Sequence, residues 1–459
     1  MEAIFSDTRN KKKPVKAKSL WKNLPGFSAT NYFLADSLCF PGDNGRNDSV
    51  FAKLNKLNRK KVRNDKFLNQ QARENGLVFF LLFFLIINLI LIPTLFGSEY
   101  SQGDIFRPKA MNSSKLITDL AGRPVAIPEQ VKTIVALNGS LRYVVYLQAA
   151  DLVIGVEGIE KNKNLLNGTN FQSRISGRPY QAAIYSLIER LPLVGEGGPG
   201  KLPDLEVLLK LHPDLVLTFE PEVAELVQNK TGLPSVVLSY AGTNGVDFPE
   251  IKKSLAFLGQ LVGREKRAEE INRFIDECES DLRHRTSEVK PVSVYIGGIS
   301  ARGAHGLTST EINYPPLLWL TAINVADELK QKGHVFIDKE KLLAWDPEYI
   351  FLDAAGLTLI NENYLKNRSY YEHLSAVRQN KVFTVFPFNF YRTNLEVLIA
   401  NAYFIGQTIY PDRFSDVEPE KMARKIIKEF VGAEVFDWLK AAYAGFRQVE
   451  FSESGIKLR

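Results

Sequence analysis

Between residues 248 and 289 the apolar positions recur at helical spacing: Ile251, Leu255, Leu258 and Val262, then Ile271, Phe274, Ile275, Cys278 and Leu282, with charges filling the other face. The pattern predicts one long bridging helix over 248–289, or two joined end to end, with Gly259 and Gly263 where it can bend. Such a segment reaches roughly 50–60 Å, longer than a typical domain is wide, so it is expected to join two bodies. The runs beside it agree. Residues 208–219 read LLKLHPDLVLTF and residues 342–353 read LLAWDPEYIFLD. Each has a paired-leucine helix end, a proline followed by an acid, and a β-rich apolar run, so the proline stops a helix and a strand begins. The expected fold is α/β: two Rossmann-like lobes, 115–247 and 290–432, on the bridging helix.

Shorter signals fill the lobes. A hairpin turning at Ala121-Gly122-Arg123 is followed by a buried strand over 133–137, a helix opened by Ser140 and a second strand over 152–156, which is the strand-helix-strand unit of a parallel sheet. Residues 162–178, rich in Asn, Gly and Ser, read as a surface insertion, and Asp204 is placed to cap the next helix. Strands over 215–219 and 235–238 complete the first lobe. In the second, strands are expected over 293–296, 349–352 and 382–386, helical segments over 316–320 and 339–344, and a long helix from about 395. The tail, 433–459, contains WLKAAYAGF, an amphipathic helix pattern.

The amino-terminal end changes the picture. Residues 77–96 read LVFFLLFFLIINLILIPTLF, an uncharged stretch long enough to cross a bilayer. Lys60, Lys61, Arg63, Lys66 and Arg73 precede it, which predicts a cytoplasmic N-terminus and an exported remainder. The segment 77–97 is thus expected to be a transmembrane anchor, or else a cleaved signal, followed by a linker over 98–114. Residues 1–76 hold 16 Lys and Arg against 7 Asp and Glu, so the formal charge of +6 belongs to this basic, disordered-type tail and the rest of the chain is net acidic. Nucleic-acid binding is not expected. Cys39 and Cys278 fall on opposite sides of the predicted membrane and cannot pair, and Cys278, on the apolar stripe, is expected to be core.

Ligands of open parallel sheets gather beyond the carboxyl ends of the strands. Four loops end strands there: Asn138-Gly139-Ser140, 195–200, 297–306 and 388–394. They bring Arg142 and Tyr143, Arg302 and His305, and Tyr391, Arg392 and Asn394 to an expected cleft. Guanidinium forks suit carboxylate, hydroxamate, catecholate or phosphate oxygens, and aromatic walls suit a bulky organic shell, so an anionic, medium-sized ligand is expected. The GEGGPG loop lacks the Lys-Ser/Thr of a nucleotide P-loop and is read as a tight turn. The five histidines are scattered, so no bare-metal site is expected, and only His305 lies in a cleft loop, where it could ligate the metal of an incomplete chelate. No G-x-S-x-G elbow, HExxH or Cys/His arrangement supports catalysis.

The order ITDLAGRPVAIP, TIVALNGS, DLVIGV, LPLVGEGGPGKLPDLEVLLKLHPDLVL, then YIGGISARGAHG, STEINYPP, NVADEL, LLAWDPEYIFLD and NKVFTVFPFNFYRTNLEVLIANAYFIG resembles the ferric-siderophore and cobalamin class of periplasmic substrate-binding proteins of ABC importers, over nearly all of 115–432. The resemblance implies a non-enzymatic receptor that takes a ferric chelate, with no intrinsic cofactor, and hands it to an ABC permease dimer and its ATPase. It also implies one acid per lobe for docking the permease, with Glu196 on the first and Glu311 or Asp327 on the second. A corrinoid or haem ligand, or a membrane-tethered sensor uncoupled from transport, are the alternatives.

Overall fold

The computed structural model describes residues 114–161, 177–239, 246–301 and 303–459. The basic tail, the apolar stretch 77–97 and Arg302 lie outside these residues. Among the described residues, no helix is long and apolar enough to cross a membrane.

The first lobe opens with an antiparallel hairpin, β1 (Ser114–Thr118) and β2 (Pro124–Pro128). Its turn is the one expected, held by the Asp119 carboxylate, which accepts from the amides of Ala121 (3.0 Å) and Arg123 (2.9 Å). There follow β3 (Ile134–Ala136), α1 (Leu141–Tyr146), β4 (Val153–Gly155), α2 (Leu205–Leu211), β5 (Leu215–Thr218), α3 (Pro221–Thr231) and β6 (Ser235–Val237). The four strands from β3 to β6 form a parallel sheet in the order β4-β3-β5-β6. Ile134 and Ala136 turn to the main core, while Val135 and Leu137 pack with Leu208, Val223 and Val227 on the other face. Burial on both faces is why these strands read as unbroken apolar runs. Asp204 caps α2 as expected, accepting from Glu206 (3.0 Å) and Val207 (3.1 Å).

The long rod does not form. α4 (Phe248–Val262) ends at Gly263, whose φ of +66° is left-handed, and α5 (Glu265–Arg285) folds back along it. Asn272 donates to the carbonyl of Lys252 (2.9 Å), Lys252 pairs with Asp276, and Gly259 lies so close to Ala268 that an added Cβ would sit 2.8 Å from it. These pairs are about equally far from Gly263 along the chain, so α4 and α5 make an antiparallel helical hairpin. The apolar spacing that suggested one rod is the stripe each arm buries. α5 alone, 21 residues and about 31 Å long, runs between the lobes.

The second lobe contains β7 (Ser293–Gly297), β8 (Ser309–Ile312), β9 (Ile323–Asn324), β10 (Gly333–Phe336), α6 (Lys339–Trp345), β11 (Tyr349–Asp353), β12 (Val382–Val385), α7 (Leu395–Ile409), α8 (Pro419–Val431), α9 (Phe436–Tyr443), β13 (Val449–Ser452) and β14 (Gly455–Leu458). Its parallel sheet runs β9-β7-β11-β12. In chain order this matches the first lobe: the opening strand second from one edge, the next at that edge, the third beside the first, the fourth at the far edge. The repeated sequence runs sit at equivalent places. α2 ends at His212 (φ 48°) and α6 at Asp346 (φ 38°), each just before a proline, and each leads into the third strand of its sheet.

One apolar core serves both lobes. Tyr146 of α1 packs edge-on to Phe430 of α8 (5.0 Å), Phe430 meets Phe274 of α5 (6.1 Å), and Phe248 of α4 meets Trp319 (4.7 Å). Cys278 is buried in it, and burial pushes its thiol up to about 12. Beyond the expected terminal helix, β13 and β14 form a hairpin that the sequence patterns did not suggest. The segment leading into it closes the edge of β12, Thr384 donating to the carbonyl of Arg447 (2.8 Å), and so removes an exposed strand edge.

Candidate functional site

In each sheet the strand order reverses beside the opening strand, between β3 and β5 and between β7 and β11, and the crevice beyond these carboxyl ends is the candidate site. From the first lobe it receives Asn138 after β3, Glu157 after β4 and Phe219-Glu220 after β5. From the second it receives Gly298 and Ser300 after β7, Asp353 at the end of β11, and loop 388–394 after β12.

That loop reaches across. Its tip is a tight reversal in which Asn389 bridges Thr393 and the Phe390 amide donates to the Arg392 carbonyl (3.1 Å). Tyr391 (φ 50°) and Arg392 (φ 84°) are both left-handed, a costly conformation for side chains of their size. Contacts with the first lobe hold them there. The Tyr391 hydroxyl donates to Glu157 Oε2 (2.5 Å) and accepts from the Gly198 amide (3.2 Å). Arg392 donates from Nε to the Asn138 carbonyl (3.4 Å) and from Nη2 to Glu220 Oε1 (2.9 Å). Gly139 lies under the tip, where a Cβ would come within 2.6 Å of the Tyr391 carbonyl, so only glycine fits. From α1, Arg142 donates to the backbone carbonyls of Phe390 (3.2 Å), Tyr391 and Thr393.

The electrostatics are those of a dry, internally compensated junction. Burial pushes the Glu157 carboxyl up to about 7, against the opposing hydrogen bonds from Tyr391 and Asn138. The Tyr391 phenol is raised by burial and by Glu157. Deeper in, Glu160 pairs with Arg178 (2.7 Å) and accepts from Tyr180 (2.9 Å), and the Arg178 guanidinium lies over the Phe390 ring (5.0 Å). On the second lobe Asp353 accepts from the amides of Ser300 (3.3 Å) and Ala355 (2.9 Å), and burial pushes it up to about 7. Glu396, in the first turn of α7, accepts from Tyr146 and is likewise pushed up to about 7 by burial. Arg392 stands apart: its side chain is 28% exposed and its partner Glu220 33%, whereas Arg142 and Arg178 are buried.

The residues expected to line the cleft divide accordingly. Asn138, Arg142, Tyr391 and Arg392 converge on one junction. Arg142, expected as a ligand fork, is instead a buried clasp, because its donors face backbone carbonyls. Ser140 is buried, donating to the Leu217 carbonyl (3.2 Å), and Tyr143 is core, edge-on to Phe219 (5.2 Å). Asn394 is buried and donates to the Phe388 carbonyl (3.2 Å), closing the loop. His305 sits on the second lobe's rim, donating to the Ala301 carbonyl (2.7 Å). Of the docking acids, Glu196 is exposed and paired with Lys201 (2.7 Å). Glu311 is not a surface acid: it lies in β8, and burial pushes it up to about 7. Asp327 is half-buried and holds a turn, accepting from Asn313 (2.7 Å) and Asn324 (2.8 Å). Arg178, read as the end of a surface insertion, is buried instead, and residues 162–176 lie outside the described residues.

Glu157, Glu160, Glu220 and Asp353 were missed. Glu157 and Asp353 stand at the carboxyl ends of β4 and β11, so applying the strand-end rule to every strand would have found them. Glu160 and Arg178 carry no such signal, since a 15-residue stretch outside the described residues separates the β4 end from Arg178. Among the described residues, no group of three or more His, Cys, Asp or Glu is placed to hold a metal ion.

Known proteins resemble this chain in sequence and in shape. A family model described as periplasmic binding protein matches residues 182–387. The molybdate-binding protein MolA of Haemophilus influenzae is 20% identical over 349 residues, covering 69% of this chain and 91% of that protein. An uncharacterized ABC transporter substrate-binding lipoprotein of Bacillus subtilis, YvrC, is 23% identical over 225 residues, 46% of this chain and 67% of that one. The solved structure of MolA bound to molybdate superposes with a TM-score of 0.54 at 19% identity, covering 70% of this chain and 98% of its own, a likeness of fold.

Proposed function

We infer that this chain is a periplasmic binding protein of an ABC transporter rather than an enzyme, and that its crevice captures an anionic metal chelate of the ferric-siderophore type outside the cytoplasm and presents it to a permease. The observation that carries this reading is the partly exposed pair of Arg392 and Glu220 at the crevice mouth. A ligand carboxylate, hydroxamate or catecholate oxygen can replace Glu220 on the same guanidinium, at small cost because an accessible ion pair is worth little. Tyr391, Phe390 and Phe219 supply ring surface beside it for an organic shell. Ligand entry on this reading requires loop 388–394 to withdraw from the first lobe, and Glu196 remains the docking acid with an exposed carboxylate. Residues 77–97 would tether the receptor to the membrane.

Tryptophan fluorescence titration of the purified full-length protein with ferric siderophores, cobalamin, haem and molybdate tests it. A ferric chelate should bind in preference to the others, and Arg392→Gln should weaken that binding about 10- to 100-fold, the value of a charge-assisted hydrogen bond. Tighter binding of cobalamin or haem, or chelate affinity unchanged in Arg392→Gln, would overturn it.

A further inference from the structure

A second group of side chains lies on the antiparallel hairpin β8–β10 of the second lobe. Register pairs Ser309 with Phe336 and Glu311 with His334, so these four share one face of the hairpin. His305, from the loop after β7, comes to the same place: its ring centroid is 5.8 Å from that of His334, with the planes 30° apart. Phe336, 62% exposed, stands edge-on to both imidazoles at 4.9 and 4.8 Å.

The hydrogen bonds fix both tautomers. His305 Nε2 faces the Ala301 carbonyl at 2.7 Å, and a carbonyl only accepts, so this nitrogen carries the proton. Ser309 gives its one hydroxyl hydrogen to the Ile299 carbonyl (2.6 Å), so it accepts from His334 Nε2 (2.7 Å), which is therefore protonated too. In the neutral rings both lone pairs are then on Nδ1, and among the described residues no hydrogen bond to either Nδ1 is formed. Metal-ligating histidines are held in the same manner, the far N–H donating to a protein oxygen. We propose that His305 and His334 together bind one borderline divalent cation, Cu²⁺, Ni²⁺ or Zn²⁺, through their Nδ1 atoms, with water completing the coordination and Ser309 and the Ala301 carbonyl orienting the rings. Imidazole suits these three cations, and since no third His, Cys, Asp or Glu joins the pair among the described residues, coordination positions stay open.

Equilibrium dialysis of the untagged full-length protein against each chloride salt tests the site. One equivalent of metal should bind. His305→Ala and His334→Ala should each weaken it at least tenfold and together abolish it, while His373→Ala changes nothing. Ser309→Ala should weaken binding about tenfold by freeing the His334 tautomer, and circular dichroism separates this effect from misfolding of a buried position. Arg392→Gln should leave metal binding intact, so failure of the chelate reading and failure of this one are distinguishable. No binding by the wild type, or undiminished binding in the double histidine variant, would overturn the proposal.

Discussion

Arg142, in the first turn of α1, and Arg392, in the loop after β12, are the same residue type at one junction, yet their surroundings give them different work. Arg142 is buried and clasps carbonyls of loop 388–394, so Arg142→Met leaves several acceptors without donors. Urea denaturation should show a loss of about 3 kcal/mol or more. Sequence could place both arginines at the crevice but could not say which would meet backbone, because that depends on a reach across some 250 residues of chain. The buried carboxyls carry a second prediction. Glu157, Glu311 and Glu396 are raised from 4.5, and Asp353 from 3.8, to about 7, chiefly by burial. Raised acids bind protons more tightly in the native state than unfolded, so their contribution is complete below the ordinary carboxylate range and is lost as pH rises through about 7. The melting temperature should therefore be higher at pH 5.5 than at pH 8.5, and Glu157→Gln or Glu396→Gln should flatten that slope. A melting temperature that rises across the same range would contradict the burial of these groups.

Among the elements, the helical hairpin α4–α5 and the two helix exits are the informative ones. Gly263→Ala places a Cβ in a left-handed position and should cost about 1 kcal/mol, measured as a shift in denaturation midpoint. The opposite substitution applies at the exit from α2. His212 holds a left-handed cap with an ordinary side chain, so His212→Gly should add about 0.5–1 kcal/mol. Asp346 at the equivalent exit from α6 should not gain, because its carboxylate accepts from the Ser375 amide (2.7 Å) and hydroxyl (2.6 Å). Most strands, the helix stops at proline and the Asp204 cap were legible, since each depends on neighbours in sequence. The fold-back at Gly263 was not, because periodicity reads the same whether a stripe faces one body or a partner helix. The β13–β14 hairpin escaped notice because its run is short and polar, and its place is set by the unpaired edge of β12.

At the scale of the whole molecule, the lobes are bound by a shared apolar core as well as by the loop that crosses between them. Unfolding followed by far-UV circular dichroism and by the fluorescence of Trp319, Trp345 and Trp438 should give superimposable curves, since neither lobe keeps a complete core without the other. Separated transitions would show the lobes to be independent. On the proposed function, the shared core would limit closure to a modest rotation and leave ligand exchange to loop 388–394 rather than to a wide hinge. The matching strand orders and the paired LLxxxP exits have a historical reading. A single ancestral half, copied and fused head to tail, would account for both sheets, and the β8–β10 hairpin, the crossing loop and the terminal hairpin are what differs between them. If the proposed function holds, specificity would then reside in the parts that differ between the halves, while the matching sheets supply the frame.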